Sequence, residues 1–170
     1  TSSPPAPIRP ASWRLVAVLL VLCLVPRAWR AVQLDVPCPD GTFYIQVAAL
    51  LEQGDYAAAF KLMPANTYPA VLALLHGSGL DYPLAGKLWG VALGTLTVLP
   101  IFGWLRRQTG QRVALISSLL YASHPTFIEW CPELVRDGTF WFLAAMTLYC
   151  AFRAVTEVRI LFYLLTGLTL

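Results

Sequence analysis

Asp40-Gly41-Thr42-Phe43 and Asp137-Gly138-Thr139-Phe140 are one acid-led tetrapeptide written twice. The first copy directly follows Cys-Pro, as CPDGTF from Cys38, and the second comes after a Cys-Pro-acid, as CPELVRDGTF from Cys131. A carboxylate in such a place can take a proton from an attacking hydroxyl. It can also hold a divalent cation through oxygen. The plainer use is helix capping, in which an Asp carboxylate accepts the free N–H groups of a first turn. Capping leaves one oxygen over, so the two uses are compatible. Candidate cations are Lys87, Arg136 beside Asp137, and His124 in a Ser-His-Pro. Histidine is a side-chain type suited to acid–base catalysis. His124 also stands where a helix should end, just before Pro125.

These groups have to be held by a chain that is 58% hydrophobic and only 12% charged. Soluble domains carry about 25% charged residues, so the expected solvent is lipid and the expected partner a bilayer. The net charge of +3 is small and dispersed, which is no footprint for nucleic acid. The sequence predicts an all-α, multi-pass transmembrane helical bundle. Residues 1–12 read as a disordered tail, rich in Pro and Ser. Spans are expected over about 13–29, 83–107, 112–125, 137–154 and 159–170, the last cut short. Outer loops fall at 30–82 and 124–136. With no initiator Met and an apolar run still open at its end, the chain is expected to be the N-terminal part of a longer protein.

Within the first loop, a surface helix is expected to present Phe43, Val47, Leu50 and Leu51 and to stop at Gly54. A second short helix, YPAVLALLH, has Pro69 in its first turn. Basic residues near the helix ends favour a cytoplasmic N-terminus. Arg106, Arg107, Arg112 and Arg153 then lie inside, with Arg27, Arg30, Lys61, Lys87 and Arg136 outside. Eight of the nine acids fall on the outer side. Acids do little to set topology, so this asymmetry points to a carboxylate-lined site at that face. Ionisable residues at membrane helices are functional candidates by default.

The order of DGTFYIQVAALLEQGDY, YPAVLALLH, AGKLWGVALGTLTVLPIFGWLRRQTGQRVALISSLLYASHP and LVRDGTFWF resembles the GT-C membrane glycosyltransferases. The nearest type is the protein-O-mannosyltransferase and aminoarabinose-transferase group. That resemblance implies sugar transfer from a polyprenyl-phosphate donor at the extracytoplasmic face of the cell (inner) membrane. The acceptor is protein, lipid or glycan. It implies Asp40 as general base, with Gly41 where the family often has Glu, and Asp137 as a second acid. Lys87, Arg136 and His124 become the donor-phosphate candidates, since the leaving phosphate needs positive charge. No cofactor is certain; a divalent metal, if used, would sit on Asp40 and Asp137. The alternative is a non-enzymatic polytopic protein, a transporter or scaffold. A transporter should keep its ionisable groups at the midplane of broken helices.

Other polar residues carry weaker expectations. Glu129 and Glu133 are loop acids, His76 a helix C-terminal cap, and Tyr44, Tyr68 and Trp130 interfacial aromatics. Cys23 and Cys150 read as small apolar residues inside spans. Cys38 and Cys131 are candidates for a disulfide joining the two outer loops.

Overall fold

A computed structural model describes residues 12–35, 38–64, 67–157 and 160–169. The expected tail lies outside the described residues apart from Ser12. The described chain is helical throughout, in the order α1 (Trp13–Gln33), α2 (Pro39–Glu52), α3 (Tyr56–Leu62), α4 (Thr67–Gly77), α5 (Tyr82–Leu96), α6 (Val98–Thr109), α7 (Gln111–Ser123), α8 (Pro125–Trp130), α9 (Asp137–Glu157) and α10 (Ile160–Thr169).

Among the described residues, three stretches are long and apolar enough to cross a membrane: Trp13–Gln33, Tyr82–Thr109 and Asp137–Glu157. α1 runs four residues past its expected end at Trp29 because Pro26 costs it one backbone bond without stopping it. Its 21 residues cover about 31 Å, the thickness of a hydrocarbon core. α5 and α6 form one span with a single irregular residue, Thr97. Pro100 has no N–H for the Leu96 carbonyl, which accounts for the break, and the Thr97 hydroxyl bonds back to Leu93 O at 2.7 Å.

The stretch expected as a third span is shorter than a bilayer. α7 has 13 residues, about 20 Å, and pairs with α6 across Gly110, whose φ of 93° suits a tight reversal. Its far end stops at His124, whose extended backbone precedes Pro125. At the α6–α7 end, Arg107 donates to Tyr149 Oη at 3.2 Å, and Arg153 holds Glu157 at 2.6 Å. The first bond ties α6 to α9; the second lies within α9 near its end.

The first loop folds into α2, α3 and α4 rather than two helices. α3 is started by Asp55, whose carboxylate accepts from Ala58 N at 3.0 Å. The buried face of α2 is Gly41, Tyr44, Val47 and Ala48, one position away from the expected face. Phe43 is exposed, while Tyr44 stacks edge-on against Tyr68 of α4, centroids 5.2 Å apart. Tyr44 and Tyr68 are therefore core residues, not an interfacial belt. With Ala48, Leu72 and Ala85 they make the cluster that seats this layer on the start of α5. Trp130 stays exposed, as expected of an interfacial aromatic.

Candidate functional site

α5 carries glycines at 86, 90 and 94, spaced by four, so all three fall on one face. They are buried, and the loop 131–136 lies against them. A Cβ at Gly86 would press into Leu134. One at Gly90 would collide with the Cys131 carbonyl, and one at Gly94 with Cys131 Sγ. Cys131, Pro132, Leu134 and Val135 are buried as a result. Irregular backbone is tolerated in a membrane bundle where protein covers it, and the glycine stripe provides that cover. Gly138, at the start of α9, meets Gly90 at 3.6 Å from an added Cβ. Trp89 Nε1 donates to Thr139 Oγ1 at 2.9 Å.

This seating brings the first loop and the 131–136 loop together. Glu133 lies beside Cys38, where α2 begins. Burial pushes the Cys38 thiol up; the Gly41 N–H opposes this, and the Glu133 and Asp40 carboxylates add to it. Asp40 follows Cys38 by two residues and Asp137 follows Glu133 by four, so both acids of the repeated tetrapeptide start helices at the same end of the bundle.

Neither acid is a cap. Cys38 occupies the N-cap position of α2, and Asp40 lies inside the first turn; Asp137 is the first residue of α9. The Asp caps of this chain are Asp55 and Asp81, the latter accepting from Leu84 N at 2.7 Å. Asp40 and Asp137 keep only the general attraction of an anion to a helix N-terminus. Among the described residues they have no hydrogen-bond or ion-pair partner. Glu133 Oε2 is buried without one. No group of three or more His, Cys, Asp or Glu among the described residues is arranged to hold a metal ion.

Lys87 leaves the second turn of α5 toward α1, and its Nζ donates to Leu34 O. It lines a groove of about 390 Å³ whose other walls are Ala28, Ala31 and Val32 of α1 and Leu84, Leu88 and Val91 of α5. The groove is apolar except for that one ammonium, which has donors to spare beyond Leu34. Arg136 is exposed beside Asp137. His124 is exposed at the α7–α8 break, its ring 5.0 Å from Phe127. Lys87, Arg136 and His124 thus sit on three separate elements, and no bond joins any two of them among the described residues.

Cys38 and Cys131 are free thiols rather than a disulfide. Cys131 turns its Sγ toward Gly94 and Arg27, away from α2. His76 does more than finish α4. Its Nδ1 meets Glu52 Oε1 at 2.9 Å, Tyr82 Oη donates to Glu52 Oε2 at 2.7 Å, and the His76 and Tyr82 rings stack at 4.0 Å. The Tyr82 bond, then His76, holds the Glu52 carboxyl below its ordinary value.

Two features escaped sequence reasoning. The Gly86, Gly90, Gly94 stripe was legible as small residues at spacing four, the usual sign of close helix packing in membranes. Arg27 was counted among the outer-side cations at the end of the first span, yet it is fully buried; only the packing of α1 against α7 shows this.

No curated protein and no solved structure matches the chain. Residues 70–170, which carry the α5–α10 bundle, the glycine stripe, Lys87 and Asp137, match the family described as dolichyl-phosphate-mannose-protein mannosyltransferase. The chain belongs to that family of membrane glycosyltransferases, which draw their sugar from a polyprenyl-phosphate donor.

Proposed function

We propose that this protein transfers a sugar from a polyprenyl-phosphate carrier to an acceptor at the extracytoplasmic face of the membrane. The carrier's tail lies along the α1–α5 groove, with its phosphate at Lys87. The observation that carries this reading is the groove itself: an apolar trough with a single cation on its wall suits an apolar chain ending in a phosphate. Lys87 acts as a point charge rather than a bidentate fork. Arg136 supplies further positive charge, and His124 a ring N–H, as the glycosidic bond breaks and the lipid phosphate departs.

Asp40 is the general base that takes the proton of the acceptor hydroxyl, and Asp137 orients the acceptor. Their lack of partners among the described residues supports both assignments, since a carboxylate not engaged in a cap has its lone pairs available. Any divalent metal would have to draw ligands beyond Asp40 and Asp137, because two carboxylates do not fill a coordination shell.

The test is turnover of polyprenyl-phosphate sugar in native membranes, using full-length wild type, Lys87→Met and Lys87→Arg at matched abundance. Lys87→Met should raise the donor KM, and Lys87→Arg should recover most of it. A donor KM that ignores residue 87 would remove the groove from the mechanism. No turnover by wild type across several donors would favour the transporter or scaffold reading.

A further inference from the structure

Arg27 is fully buried three-quarters of the way along α1. Its Nη1 donates to Cys23 O at 2.8 Å within its own helix and to Ala122 O at 3.3 Å, and Nη2 donates to Tyr121 O at 3.4 Å. The guanidinium also lies over the Tyr121 ring, 4.9 Å from its centroid. Nε has no hydrogen-bond partner and points at the Gly94 face, where Cys131 Sγ packs. No carboxylate is paired with it among the described residues. An unpaired buried cation is costly, so the position needs a reason.

The α7–α8 break supplies one. In a continuous helix the Tyr121 carbonyl would accept from residue 125 and the Ala122 carbonyl from residue 126. Residue 125 is Pro and has no N–H, and α8 starts afresh there. Tyr121 O keeps a bond of 3.4 Å from His124 N; Ala122 O has Arg27. Freed carbonyls inside a membrane bundle must find other donors, and Arg27 reaches both from another helix. A cation also suits the negative end of α7. Arg27 then touches Cys131, the first residue of the loop laid on the glycine stripe. Burial pushes the Cys131 thiol up despite the lowering pull of Arg27. The thiol stays neutral and is no counterion.

We propose that Arg27 is a positioning residue for the transfer reaction: it locks the α7–α8 break and the 131–136 loop in place, and so fixes His124, Arg136 and Asp137 at the site. The consequence for catalysis rests on the glycosyltransfer reading; the hold on the loop does not.

The experiment makes Arg27→Lys and Arg27→Gln in the full-length protein in native membranes. N-Ethylmaleimide labelling of Cys131, located by peptide mass spectrometry, reports the loop directly. Donor turnover reports the site. Cys131 is buried in the wild type and should resist labelling; in both variants, at normal abundance, it should become labelled. The kcat should fall by about 100-fold, the scale of a displaced reacting group, while the donor KM moves by less than about threefold. Labelling without any turnover even in wild type would keep the loop claim and defeat the glycosyltransfer reading. Protection of Cys131 in both variants would overturn the proposal. So would loss of the whole protein in both, which would make Arg27 a bundle staple with no particular hold on the loop.

Discussion

At the start of α2 the Thr42 hydroxyl turns back on its own helix and bonds Cys38 O at 3.4 Å; at the start of α9 the corresponding Thr139 oxygen accepts from Trp89 of another helix. Gly41 is buried in the first turn of α2, whereas Gly138 meets Gly90 of α5. Asp40 is exposed and Asp137 half-buried. The same four residues therefore begin one helix held mainly by its neighbours in a surface layer and one seated on a spanning helix. Local sequence starts both helices, and the partner of each Thr decides how firmly the acid beside it is held.

The largest expected contrast is chemical. Asp40→Asn should lower turnover by at least about 100-fold, the usual worth of a general base. Asp137→Asn should lower it by about tenfold, an orientation effect. Equal losses, measured at matched abundance, would erase the distinction between the two acids. Next comes packing on α5. Gly90→Ala drives a methyl into the Cys131 carbonyl and should cost about 1–3 kcal/mol, as overpacking does. Gly138→Ala meets only ordinary contact distances and should change the thermal midpoint in detergent far less.

A finer comparison sets the threonines against each other. Thr139→Val leaves the part-buried Trp89 N–H without its acceptor and should cost about 1–3 kcal/mol. Thr42→Val removes an exposed bond to its own helix and should stay within about 0.5 kcal/mol. Equal thermal shifts would show that the two helix starts are held alike. The smallest effect concerns the Glu52–His76–Tyr82 contact, which pins α2 to α4 and α5. Glu52 is held below its ordinary value of 4.5. The contribution of its ionised form is complete above that pH and fades as the pH falls through the lowered value. Tyr82→Phe should flatten that acid limb, read as the pH dependence of first-loop proteolysis.

Much of this was legible in the sequence for physical reasons that act locally. Apolar runs in 13–29, 83–107 and 137–154 marked the spanning stretches, and Gly54 and Pro125 marked where helices stop. The helix face of α2 was misread because Phe43 and Tyr44 are both large and aromatic; periodicity alone does not say which of the two meets Tyr68. Asp40 does not cap α2 because Pro39 begins that helix one residue ahead of it, which shifts the cap to Cys38.

What the sequence by itself determined is the solvent, the helical class and the family resemblance. These follow from composition, periodicity and residue order, which need no neighbour to be read. Tertiary structure alone decided that Cys131 faces Arg27 instead of Cys38, that a loop lies on Gly86, Gly90 and Gly94, and that Arg27 serves the carbonyls of α7. Each depends on which helix faces which, and burial and hydrogen-bond satisfaction settle that only when the helices pack.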